Sequence, residues 1–302
     1  MNCLFLMGAH RSGTTWLHQL LGSSSQMACI TYWDIRQQLH QGETVLEREQ
    51  VERELAQKSE NRGFDGAAVG IDLPEEYGWI LEANAFDIYT RRPVSNTQFD
   101  RLQALIQDKN KQKQQADWLL LKNPVDFYDG FLNLDNKFPG SCFLFLHRHP
   151  FAVFRSQVSS WRNLWVQPNQ YLATLDRVYA KSLTDPIKSR AIKRSLYDRN
   201  VLKTMLLTLA EAFEYHIENE DKMQAKSIRL RYEDLCADPD SSLKRISNWL
   251  QLEEPIRAPE RLATKQRELS EDSMIAEVYR ANSHRFKAYC NWQGYSIYGD
   301  LG

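Results

Sequence analysis

The run Cys3-Leu4-Phe5-Leu6-Met7-Gly8-Ala9-His10-Arg11-Ser12-Gly13-Thr14-Thr15-Trp16-Leu17, close to the start of the chain, decides how the rest is read. Its first five residues are apolar without alternation, the pattern of a strand buried on both faces. Gly8 and Gly13 then bracket a short loop, and from Thr14 apolar residues recur at helical spacing until Gly22, where a helix can stop. Strand, glycine loop and helix in that order aim backbone N–H groups and a helix N-terminus at an anion.

Working outward, three more apolar runs of strand length each lead into helix-forming sequence. Trp118–Leu121 precedes Lys122-Asn123-Pro124, Cys142–Leu146 precedes His147-Arg148-His149-Pro150, and Ser227–Tyr232 precedes Glu233-Asp234-Leu235. Repetition of this unit predicts an α/β fold, P-loop-like and three-layered, with a central parallel sheet and helical insertions. Between the first two strands the spacing predicts an amphipathic surface helix from about Thr44 to Arg62 and a loop from Gly63 to Gly70. A helix from about Pro74 through Leu81 and a polar helix over Gln98–Gln115, solvated at its Lys109–Gln115 end, follow. No internal repeat or linker divides the 302 residues, so one domain is expected.

The bulk composition excludes several classes of partner. A formal net charge of -1 gives no basic field for nucleic acid or an anionic membrane, so anion binding must be local. No apolar run is long enough to span a bilayer, and the first residues read as a strand rather than a signal peptide. Cys3, Cys29, Cys142, Cys236 and Cys290 show no zinc-ligand or disulfide spacing, which fits a reducing compartment and a cytoplasmic protein. Cys3 and Cys142, inside strands, read as core.

The spacing Gly8-x4-Gly13 is that of an ATP-binding loop, but Thr14-Thr15 stands where that motif needs Lys then Ser or Thr. The basic side chain lies inside the loop instead, at Arg11. The string His10-Arg11-Ser12-Gly13-Thr14-Thr15-Trp16-Leu17 resembles the 5′-phosphosulfate loop of sulfotransferases that use 3′-phosphoadenylyl sulfate (PAPS) and release PAP. The resemblance implies that Arg11, Ser12, Gly13, Thr14 and Thr15 hold the 5′-phosphate and that Trp16 stacks on the adenine; the other reading of Trp16 is core packing. A second segment, Leu144–His149 with Pro150, Ala152-Val153 and Arg155-Ser156, is similar to the family's 3′-phosphate segment. Arg148 and Ser156 keep its eight-residue separation, and both are implied 3′-phosphate ligands. Leu230-Arg231-Tyr232-Glu233-Asp234-Leu235 resembles a third family segment and implies Tyr232 near the nucleotide, with Glu233 and Asp234 capping a helix. Arg285, in Ser283–Lys287, is a further candidate phosphate ligand. The matches span positions 10–239 and are most similar to the bacterial branch related to tyrosylprotein sulfotransferases.

Lys122-Asn123-Pro124 looks like the lysine segment of that branch, so Lys122, with Arg11 sharing the role, is the candidate for stabilising charge on the transferring group; no metal is then required. The general base is less defined. Sulfuryl transfer needs the acceptor proton removed, and the candidates are Glu76, Asp34, Glu75 or a histidine such as His10 or His40. Pro74-Glu75-Glu76 also reads simply as a helix start.

The expected function is sulfuryl transfer to a hydroxyl or amine of a small molecule, with an acceptor pocket built from an insertion at about 31–115 of the single domain 1–302. The carboxylates Asp34, Glu75 and Glu76 would suit a cationic secondary metabolite of the saxitoxin type; a glycan, a lipid or a peptide tyrosine is the alternative. A P-loop nucleotide kinase and an inactive PAP-binding protein are the readings from other classes. Neither nucleic acid nor membrane is an expected partner.

Overall fold

The computed structural model describes residues 1–40, 45–58, 62, 67–81, 96–112, 116–258 and 272–298. Five strands, β1 (Asn2–Met7), β2 (Met27–Cys29), β3 (Trp118–Lys122), β4 (Cys142–His147) and β5 (Lys226–Arg231), form one sheet in the order β2-β3-β1-β4-β5. Every pairing is parallel, with Leu4 beside Leu120 on one flank and Cys142 on the other.

Side chains along the inner strands alternate between two cores. Phe5, Met7, Leu119, Leu121, Phe143 and Phe145 face one side, where they meet the helices Pro150–Val166 and Arg199–Asn219. Leu4, Leu6, Leu120, Leu144 and Leu146 face the other, against Leu17 and Leu21 of helix Thr14–Gly22 and Leu243 and Ile246 of helix Pro239–Leu250. These are the three expected layers, and they explain why the inner strands carry apolar residues without alternation.

β5 departs from the expected fully buried strand. It lies at the sheet edge, and only Ile228 and Leu230 are buried while Lys226, Ser227 and Arg229 are exposed. β2 is a three-residue strand too short for its pattern to stand out in the sequence.

β1 lies at the centre, β3 runs to one side of it and β4 to the other, so the loops leaving their carboxyl ends diverge there. That is the crevice where open α/β sheets bind ligands. Between β2 and β3 lie the helices Tyr32–Leu39, Arg48–Lys58 and Asn96–Lys111. The helix expected over Pro74–Leu81 is absent: Pro74 bridges Thr31, the Glu75 N–H donates to the Ile30 carbonyl, and only Tyr77–Trp79 forms a 3-10 turn. Glu75 and Glu76 are held extended by tertiary partners that outweigh the local helix-start signal. Lys109 also differs from expectation: it is buried, with its ammonium 2.6 Å from Asp34. Residues 113–115 of the expected polar stretch, and residues 63–66 of the expected 63–70 loop, lie outside the described residues.

Candidate active site

The loop after β1 is shaped by backbone conformations that few side chains tolerate. Arg11 has φ 74° and Gly13 φ 101°, and a Cβ on Gly13 would lie 2.3 Å from the Tyr232 ring. Only glycine fits there. Helix Thr14–Gly22 then starts with no side-chain cap and no acidic residue in its first turn. By contrast, helix Tyr32–Leu39 is closed by a capping box of Thr31 and Asp34. The helix N-terminus at the loop is thus left to an external anion. The buried Ser12 hydroxyl, without a hydrogen-bond partner, lies in the same loop.

Three guanidinium-bearing residues gather beside this loop. Arg148, just past β4, donates from Nη1 to the Arg11 carbonyl at 3.0 Å and lies over the Tyr232 ring at 4.3 Å. Arg11 Nε donates to Ser156 Oγ at 3.2 Å. Arg155, preceding Ser156 on helix Pro150–Val166, is held below the usual arginine range by burial and then by the charge of Arg148, and its Nε has no partner. Like charges gathered in this way suit a bound anion. Trp16 is half-buried and meets the Tyr232 ring edge-on at 6.2 Å, so Tyr232 touches Gly13, Trp16 and Arg148 together.

On the acceptor side, Lys122 ends β3 fully buried. Its ammonium is bonded to Glu76 and lies 3.3 Å from the Thr15 hydroxyl of the loop. Arg62 lies 3.9 Å from Glu76 and 3.5 Å from Glu75, whose other oxygen accepts from the Tyr171 hydroxyl. Burial alone would raise Glu76, but the charges of Lys122 and Arg62, the Lys122 hydrogen bond and the charge of Arg11 together hold it below the usual carboxylate range. Asp126 fastens this segment to the end of β3 by accepting from both the Tyr77 hydroxyl and Asn123 Nδ2. Burial pushes Asp126 up to about 6.

The sequence pattern of the Sulfotransferase family matches residues 3–255, a span containing all of these groups. The chain belongs to that family. This sulfotransferase is similar in fold to sulfotransferase STF1 from Mycobacterium tuberculosis H37Rv, with 16% identity, 95% of this chain and 76% of that one covered, and a TM-score of 0.59. It is also similar to sulfotransferase STF9 from Mycobacterium avium, with 13% identity, 99% and 78% coverage and a TM-score of 0.54. No curated protein matches the chain.

Membership implies use of PAPS, and the residues present fit that molecule. The uncapped helix end, the orphaned Ser12 hydroxyl and the close approach at Gly13 suit one phosphate, and Arg148, Arg155 and Ser156 suit a second. Among the residues expected at the site, Arg11, Ser12, Gly13, Thr14, Thr15, Trp16, Arg148 and Tyr232 lie on the loops and helix starts at the carboxyl edge of the sheet, Lys122 ends β3 there, and Ser156 lies in the second turn of helix Pro150–Val166. Glu75 and Glu76 border Lys122. Asp34 is instead occupied as a cap and by Lys109. Arg285 is not brought to the loop by any contact, because both arms of its guanidinium bond Glu214, at 2.7 and 2.6 Å. Glu233 is no helix cap: it accepts from the His149 N–H and the Tyr295 hydroxyl, tying β4 to the C-terminal segment.

Sequence reasoning did not select Arg62, Tyr171, Arg155 or Asp126. Arg155 sits inside a quoted motif, and Asp126 follows Asn123 at a turn-forming spacing, so each had a local signal. Arg62 and Tyr171 had none, since their role depends on distant parts of the chain meeting. No described helix is long and apolar enough to cross a membrane.

Proposed function

We propose that this sulfotransferase moves the sulfuryl group of PAPS to the hydroxyl of an uncharged small molecule, with Glu76 as base and Lys122 as the group that stabilises transferring charge. The observation that carries this reading is the position of Lys122, which touches Thr15 of the phosphate loop and Glu76 at once. Among the carboxylates considered, Glu76 alone contacts a residue that also contacts the loop.

PAPS supplies an activated sulfur: the acceptor oxygen forms a bond to it as the bond to the 5′-phosphate oxygen breaks, and the electron pair leaves on PAP. The protein's own part is electrostatic. Loop amides and Arg11 hold the 5′-phosphate, while Arg148, Arg155 and Ser156 hold the 3′-phosphate. Tyr232 and Trp16 offer ring faces for the adenine. Lys122 opposes negative charge on the departing oxygen, and Glu76 takes the acceptor proton.

The cationic acceptor finds no support in the charges lining this side. Asp34 is matched by Lys109, Glu76 by Lys122, and Glu75 by Arg62. A cation entering there would meet compensated carboxylates, whereas a neutral hydroxyl needs only one acceptor atom. The kinship with the tyrosylprotein branch rests on sequence resemblance, the Lys122-Asn123-Pro124 segment included, so peptide tyrosine belongs in the same acceptor trial.

PAPS turnover with a panel of neutral alcohols, phenols, amines and a tyrosyl peptide tests the proposal. Transfer to alcohols or phenols that falls about 10²–10³-fold in Lys122→Met is expected. Transfer confined to cationic amines, or unaffected by the substitution, would overturn it. Tighter binding of ATP than of PAP in calorimetry would reinstate the kinase reading.

A further inference from the structure

Lys122 has one ammonium and two competing claims on it. Glu76 bonds it from the acceptor side, and Thr15 lies 3.3 Å away on the donor side. The Lys122 side chain is buried, as is its contact with Glu76, while the contact with Thr15 is part-buried toward the loop. A lysine ammonium is a compact charge on a stem that rotates easily, so it can exchange one anion for another over a short path.

We infer that the Lys122–Glu76 pair is a donor-sensing latch: the anionic 5′-phosphate end of the nucleotide draws Lys122 toward Thr15 and thereby frees the Glu76 carboxylate for the acceptor. This rests on the PAPS reading above. Its physical basis is a balance of charges that survives the exchange. Without donor, Lys122, Glu76, Arg62 and Glu75 form an alternating chain of two cations and two anions. When Lys122 turns to the phosphate, Glu76 keeps Arg62 at 3.9 Å, so no bare carboxylate is stranded in the interior.

The groups facing Glu76 agree with this direction. They are Lys122 from β3, Arg62, Arg11 from the loop and its neighbour Glu75. His18 of the adjoining helix is kept neutral by burial and then by the charges of Lys122 and Arg62. With Lys122 gone to the nucleotide, the burial that raises Glu76 is less opposed, and the carboxylate becomes a stronger base. Proton removal is then coupled to donor occupancy, and an acceptor arriving first meets a base already engaged.

The consequence is unusual for a base: removing it tightens nucleotide binding, because Lys122 no longer has to leave a partner. Calorimetric titration of PAP into the full chain is the test, with Glu76→Gln, Lys122→Met and the double variant completing a cycle. Glu76→Gln is expected to lower the PAP Kd by about fivefold or more, and to have no such effect in the Lys122→Met background. An unchanged or raised Kd in Glu76→Gln overturns the latch. So does an equal tightening without Lys122, which would be simple removal of negative charge. If thermal melting shows Glu76→Gln unfolded, Glu76→Asp replaces it: the charge stays, the reach to Lys122 shortens, and tighter PAP binding is again required. Transfer activity is read separately. Undiminished transfer in Glu76→Gln removes the base assignment, while the PAP cycle still decides the latch.

Discussion

Arg148 Nη1 donates to the backbone carbonyl of Arg11 at 3.0 Å, so the residue that follows β4 fixes the conformation of the loop that follows β1. The contact matters because Arg11 has φ 74°, a left-handed conformation that costs a non-glycine residue of order 1 kcal/mol or more. Arg148 helps hold that conformation while its ring contact with Tyr232 and its closeness to Arg155 turn its charge to the same crevice. One side chain thereby links the loop after β1 to the segment after β4, 137 residues apart in sequence.

Replacing Arg148 by alanine removes a loop brace and, on the proposed function, a phosphate ligand with it. A hydrogen bond to a charged group is worth about 1.5–3 kcal/mol, which corresponds to roughly a 10- to 100-fold weaker PAP affinity. Adenosine 5′-phosphate, which lacks the second phosphate, should lose less. Titration of both ligands into Arg148→Ala checks this, and equal losses for both would place Arg148 at the loop alone.

Gly13→Ala is expected to be more damaging than a methyl group usually is. The new Cβ would lie 2.3 Å from the Tyr232 ring on a backbone with φ 101°, so both the ring and the loop must shift. Thermal melting should show a clear loss of stability and PAP binding should fall at least tenfold, since the ring that moves also contacts Arg148 and Trp16. Gly13→Ala combined with Tyr232→Ala relieves the clash but not the backbone strain, so part of the stability should return. Full recovery would show that φ at this position is of no consequence.

What was legible in the sequence, and what was not, follows the range of the interactions. β1, β3 and β4 are buried on both faces, so burial left continuous apolar runs that could be read locally. The loop after β1 was legible because the positive φ of Gly13 is a local backbone demand, while the closeness of the Tyr232 ring to it was not. Pro74–Glu76 misled, since a good helix start was overridden by the bridge to Thr31 and by Lys122, Arg62 and Tyr171 from elsewhere in the chain. Lys109 misled similarly: its polar neighbours suggested a solvated helix end, while Asp34 draws it into the interior.

Asp34→Asn separates a structural carboxylate from a chemical one. Asp34 accepts from the Thr31 N–H at 2.7 Å and pairs with buried Lys109 at 2.6 Å. Leaving a buried charge without its partner costs about 3–5 kcal/mol. A marked drop in melting temperature is expected, with kcat at a temperature well below melting reduced by less than about threefold, far short of the 10²–10⁴-fold that loss of a base brings. A collapse of kcat with melting unchanged would return Asp34 to the chemistry. Lys109→Met in the same background should restore stability, because it removes the stranded charge.

Stability toward acid is expected to depend on the buried pair His147 and His216, which are not part of the transfer chemistry. Their rings lie 4.9 Å apart, with His216 stacked on Phe127 and His147 bonded to the Tyr289 hydroxyl at 3.0 Å. Burial lowers both: His147 falls well below 6.5, helped by His216 and Arg229, and His216 falls to about 3 with help from Arg229. The unfolded chain takes up these protons near pH 6.5, whereas the folded chain resists them until far lower pH. The contribution of neutral His216 is therefore complete above pH 6.5 and is lost progressively as pH falls toward 3, and neutral His147 acts in the same direction. Melting temperatures measured between neutral pH and pH 4 should decline along that window. His216→Phe, which keeps an aromatic ring among Phe127, Phe131 and Phe145, should flatten the decline. An equally steep decline in the variant would move the acid sensitivity to other groups.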